Sequence, residues 1–183
     1  MSLTNTRAAY GWAAIALHWI SAVGVVAMYF LGEQMEDAPD RAAKVAAQGL
    51  HVSVGILLFT FLMARLLWSL SQPHPDSFER NKWFRIAARV VQGLFLLMIA
   101  VLIVTGPLAV WSAPRAIAVF DLFSLPSPFP TRIVWLHDLA EDVHCLATYL
   151  FWQLMVLHIG ASVKHLLLDS DRTVQRMLWV RRT

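Results

Sequence analysis

Few residues in this chain of 183 can do chemistry: seven histidines, a single cysteine and a scatter of charges. Four of the histidines stand inside apolar runs: His18 in "ALHWI", His51 in "LHVSVG", and His144 and His158 in "DVHCLATYLFWQLMVLHIG". An imidazole in hydrocarbon is expensive, so it normally faces a partner, a cofactor or water. The 14 positions from His144 to His158 correspond, on a helix, to roughly 21 Å along the axis and about 40° in azimuth. Both rings therefore point to one side of their helix, near its opposite ends. With Cys145 alone, no intramolecular disulfide can form, and the Cys-x-x-Cys-His pattern of covalent haem attachment is missing.

The elements that must carry these histidines are set by composition. Residues are 58% hydrophobic and mean hydropathy is +0.57, the signature of a membrane protein rather than a soluble domain. Four apolar runs, at about 12–31, 49–70, 86–110 and 139–168, are each close to the roughly 20 residues that cross a hydrocarbon core. The first is expected to be retained, because "YFLGEQMEDAPD" has no small-x-small cleavage site. The runs do not alternate polar and apolar residues as barrel strands do. The expected fold is all-α: an integral membrane four-helix bundle filling one transmembrane domain, 1–183. A pI near 9.4 does not indicate nucleic acid, because the basic residues lie in short loops between spans and form no soluble patch.

Lys and Arg near span ends give orientation. One side receives Arg7, Arg80, Lys82, Arg85, Arg89, Lys164, Arg172, Arg176, Arg181 and Arg182, with Arg65 at the inner end of span two. The other receives Arg41, Lys44, Arg115 and Arg132, diluted by acidic residues that include Glu33, Glu36, Asp121 and Asp142. Both termini are expected on the cytoplasmic side. Trp12, Trp68, Trp83, Trp111, Trp135 and Trp179 fall near span ends, as an aromatic belt requires.

Orientation fixes depth. His18 and His158 fall in the inner half, His51 and His144 in the outer half. Two histidines at one level on facing helices can give a haem iron both axial nitrogens. The bland alternative is four separate polar residues satisfied by packing. Two imidazoles per level are too few for zinc. Arg65, 14 positions after His51, comes to the inner level on nearly the same face. It can pair with a haem propionate or snorkel to lipid headgroups.

Other residues draw plainer readings. The segment from Arg115 to Phe123 in the outer loop reads as a short amphipathic surface helix, in a loop that covers the bundle rather than acting as a catalytic lid. His137, Glu141 and His144 share a helical face like metal ligands, but His137 reads as interfacial. His165 is expected at the inner interface, His74 in solvent, and Cys145 in packing.

As an ordered set, "ALHWI", "HVSVG" followed by "RLLW", "VHCLATYLFWQLMVLHIGASVKHLL" and "DSDRTVQRML" resemble the bacterial cytochrome b561 family. Its superfamily includes the cytochrome b subunits of membrane-bound hydrogenases. The resemblance covers nearly the whole chain. It implies two noncovalent haem b groups, the inner one ligated by His18 and His158, the outer by His51 and His144, with Arg65 at the family's basic position. Arg89, Gln92 and Ile103 stand where many relatives carry histidines and a proline in span three. The implied activity is that of a multi-pass oxidoreductase of the bacterial inner membrane, passing electrons between a periplasmic donor and the quinone pool. Superoxide is a donor associated with the family. Two alternatives stand: a membrane anchor and electron conduit for a hydrogenase-like dehydrogenase, and a proton- or metal-coupled transporter, which the absence of an inverted repeat disfavours. The expected partners are lipid, quinone and an electron donor; oligomeric state is open.

Overall fold

Residues 2–79, 81–120, 122–169 and 171–178 are described by a computed structural model. Four long helices dominate it: α1 (Trp12–Glu36), α2 (Arg41–Ser71), α3 (Lys82–Trp111) and α4 (Val134–Lys164), the last running on into a π turn, His165–Asp169. The shortest, α1, has 25 residues, roughly 37 Å of axis, more than a bilayer core requires. α1 packs on α2, α2 on α3, and α3 on α4. Their outward faces are apolar, with Leu57, Leu70, Leu97 and Leu157 exposed, as lipid-facing surfaces must be.

The helices outrun the apolar segments because polar caps and good helix formers extend them. Asp40 accepts the Ala43 N–H at 2.8 Å, and "RAAKVAAQ" carries α2 roughly two turns before the first apolar stretch. Asn81 caps α3 through the Trp83 N–H at 2.9 Å. Pro107 lies inside α3 and deprives the Ile103 carbonyl of its ladder partner. Leu58, Leu62, Ile99, Ile103 and Phe151 form the buried core at mid-height.

At one end of the bundle the segment before α1, the loop after α2 and the short helix α5 (Gln175–Leu178) meet. The Asp76 N–H donates to the Arg7 carbonyl at 2.8 Å, Arg176 to the Asp76 carbonyl at 2.7 Å, and Trp19 Nε1 to the Met177 carbonyl at 2.7 Å. Arg176 also lies over the Phe78 ring, 4.4 Å from its centre. The beginning and end of the described chain therefore share one side. Arg80, Asp121, Trp179, Arg181 and Arg182, used above for orientation and the aromatic belt, lie outside the described residues.

The outer loop corrects one expectation. In place of a surface helix over Arg115 to Phe123 stands an antiparallel hairpin, β1 (Ile117–Val119) paired with β2 (Phe123–Leu125). Ile117 and Val119 are fully buried while Ala118 between them is exposed, the period of two that a strand provides. The hairpin lies over α2 and α3. Ser53 Oγ fastens it, donating to the Ala118 carbonyl at 3.2 Å and accepting the Phe120 N–H at 2.9 Å. The covering role expected of this loop is what the hairpin performs.

Candidate functional site

α4 presents His144, Phe151 and His158 at intervals of seven residues, which keeps all three on one face. Its imidazoles meet those of α1 and α2, while Phe151 packs on Phe95 of α3, ring centres 5.1 Å apart. The rings of His18 and His158 have centres 6.3 Å apart at an interplanar angle of 66°; those of His51 and His144 are 6.4 Å apart at 76°. Between the two levels sit the apolar core and a stacked pair, Tyr29 on Trp152, with ring centres 4.4 Å apart. Two facing imidazole pairs are thus separated by an apolar layer.

Each pair has a different polar surrounding. At the outer level Thr105, only 8% exposed, donates its hydroxyl to the Val101 carbonyl at 2.8 Å and lies 3.0 Å from His144 Nδ1. A hydroxyl has one hydrogen, so with that hydrogen on the Val101 carbonyl its oxygen accepts from the Nδ1–H tautomer of His144. His144 Nδ1 then carries the proton and Nε2 keeps its lone pair. Glycine lets α3 approach this ring: a Cβ at Gly106 would stand 3.3 Å from His144 Cε1, whereas one at Gly32 would stand 3.7 Å from His51 Cε1.

At the inner level Arg65 Nη2 lies 3.2 Å from His18 Nδ1. A guanidinium only donates, so here Nδ1 accepts. Arg65 is therefore turned into the bundle, and the snorkelling alternative does not describe it. The Phe95 ring meets His158 edge-on, 5.5 Å between centres.

A haem must also find partners for its propionates and contacts for its ligands' second nitrogens. Among the described residues, the buried side-chain polar atoms without a hydrogen-bond partner include His51 Nδ1, Ser21 Oγ and Trp68 Nε1. Ser21 is one turn from His18, and Trp68 one turn from Arg65. These are groups that pack poorly against hydrocarbon and suit a cofactor with both polar and apolar edges. Two imidazoles that share a metal at about 2 Å from each nitrogen have ring centres roughly 6 Å apart, close to both observed separations. The residues present fit haem.

The remaining candidates are not drawn into these sites. His137 Nδ1 donates to the Ala109 carbonyl at 2.8 Å, and Nε2 lies 3.6 Å from Glu141, so it ties α4 to the end of α3. It shares no metal point with His144, which is engaged by Thr105. His165 Nδ1 meets Asp171 at 2.8 Å and Asp169 at 3.1 Å, and Lys164 meets Asp169 at 2.5 Å. Burial opposes the charge of Asp171, but bonds from Thr173 and His165 hold its carboxyl below the usual carboxylate range. His74 is exposed. Cys145 is exposed too. Reading the sequence missed Thr105 and Gly106 and gave Trp68 only a place in the aromatic belt; "TGP" inside an apolar run was the one available signal for the first two.

Comparison with known proteins agrees with the geometry. The profile of the prokaryotic cytochrome b561 family matches residues 9–179. The chain is 34% identical over 181 residues to cytochrome b561 homolog 2 of Escherichia coli (strain K12), covering 97% of this chain and 95% of that protein. The chain belongs to the prokaryotic cytochrome b561 family, whose members are membrane cytochromes. Membership implies haem b and electron transfer across the membrane.

Proposed function

From that membership we propose that this cytochrome holds two noncovalent b haems, the inner on His18 and His158 and the outer on His51 and His144, and exchanges electrons between a donor at the outer face and quinone. The observation that carries the reading is the pair of imidazole couples with ring centres 6.3 and 6.4 Å apart, at opposite depths of one bundle. Haem b, when bound, supplies a one-electron iron couple.

The protein's contribution is positional and electrostatic. Two histidines per level would supply a haem iron with both of its protein ligands, which would favour electron transfer over oxygen binding. The apolar layer of Leu58, Leu62, Ile103 and Phe151 excludes water between the levels. Thr105 orients His144. Arg65 is assigned to an inner propionate on a specific ground. With His18 Nε2 on a metal, Nδ1 carries hydrogen and can no longer accept from the guanidinium. A half-buried Arg65 then needs an acceptor, and a carboxylate suits its planar fork; Trp68 Nε1 is a second donor nearby. Reduction of a quinone consumes two electrons and two protons, so each quinol formed represents two single-electron crossings.

The test is reduction in proteoliposomes followed at the haem absorption bands. Quinol should reduce the oxidised protein, and superoxide generated outside should do so as well if it is the donor. Haem-loaded protein that exchanges electrons with neither quinol nor quinone would overturn the quinone assignment. A soluble subunit purifying in stoichiometric amount from native membranes would favour the conduit reading.

A further inference from the structure

The two levels differ in the group that faces a histidine's Nδ1. At the outer level it is a hydroxyl, 3.0 Å from His144 Nδ1, which accepts from the Nδ1–H that an Nε2-ligated imidazole carries while its own hydrogen goes to the Val101 carbonyl at 2.8 Å. At the inner level it is a guanidinium, which can only donate and carries full charge. Thr105 is buried and sits in the third helix, which contributes no histidine to either pair. Its hydroxyl therefore acts on iron only through His144.

We infer that Thr105 and Arg65 set the two haem sites at different potentials, the outer below the inner, so that the protein is built to draw electrons inward. The inference rests on the bis-histidine reading above. An acceptor on Nδ1–H increases the electron-donating power of Nε2, which stabilises ferric iron and lowers the outer potential. A guanidinium beside the inner site favours the state with one more electron, because reduction adds negative charge near a fixed positive one. It does so whether it faces the imidazole or a propionate. The two effects have opposite sign at opposite ends and so add in the difference. Among the described residues His51 Nδ1 is buried without a hydrogen-bond partner, and the other polar neighbour of that ring is the Met28 backbone, so Thr105 is the side-chain contact that distinguishes the outer site.

Thr105 is a positioning residue, and its test must read something a packing role would not move. Purified holoprotein is titrated spectroelectrochemically, with haem content measured on the same sample. Two components are expected. Thr105→Val, which keeps shape and deletes the hydroxyl, should raise the lower component and leave the upper one in place. Thr105→Ser should restore it, and Arg65→Gln should lower the upper component alone. His144→Ala should delete the lower component. The inference is overturned if Thr105→Val retains its haem and shifts neither component, or if His144→Ala deletes the upper one. Should Thr105→Val not hold haem, nitrogen-15 histidine spectra of the ferrous unmodified protein decide: a strongly hydrogen-bonded Nδ1–H is expected, and its absence contradicts the assignment. Haem content fails first if the bis-histidine reading is wrong, whereas the potentials fail alone if only this inference is.

Discussion

Each histidine of the site is held by a neighbour whose chemistry is legible once two helices are placed together. The separation of His144 and His158 could be converted to depth and azimuth by helix arithmetic alone, and so could the matching of His18 and His51 to them. Thr105 could not be found that way, because a threonine in an apolar run says nothing until the rotation of α3 against α4 is known. Gly106 has the same status. A Cβ there would stand 3.3 Å from His144 Cε1, so Gly106→Ala must push the imidazole by a few tenths of an ångström, with an expected cost of about 1 kcal/mol for overpacking. The same change at Gly32 meets His51 at ordinary contact distance and should be tolerated. Haem retention through detergent purification and thermal unfolding of both variants checks this, and equal loss from both would count against the packing argument.

Helices α1 to α4 were legible from hydropathy, but their ends were not. Capping by Asp40 and Asn81 and the alanine-rich start of α2 extend helix beyond the apolar runs, and hydropathy is blind to caps. The outer hairpin was misread for a related reason. Its alternation spans only Ile117, Ala118 and Val119, too short to outweigh a helical pattern over nine residues, and the burial that decides it comes from α2 and α3. Ser53 is the contact that holds the strap down. Ser53→Ala leaves two backbone groups of the hairpin without their partner and should destabilise it by about 1–3 kcal/mol. Faster proteolysis within the outer loop, with the four helices intact, is the expected result; an unchanged cleavage rate would show that Ile117 and Val119 suffice to anchor it.

For the molecule as a whole, an even number of spans and the interlocked segments around Arg7, Asp76 and Arg176 put the beginning and end of the described chain on one side. By the excess of basic residues on it, we propose that this side faces the cytoplasm. In a Cys145→Ser background, Ser77→Cys should react with an impermeant thiol reagent only from the cytoplasmic side and Ser124→Cys only from the outer side. The reverse pattern would invert the proposed direction of electron flow. A cofactor that binds only the folded bundle must also stabilise it by mass action. Protein produced under haem limitation should unfold at lower temperature, and added haem should recover the difference.

The central claim, that four histidines make two sites, is tested most directly by the haem-to-chain ratio of the purified protein, measured alongside His144→Ala and His158→Ala. The account predicts about two noncovalent b haems in the unmodified chain and about one in each variant, with two axial nitrogens needed per iron. A folded, fully loaded chain with a single haem, or loss of both haems from either substitution in a protein that remains folded, would contradict it.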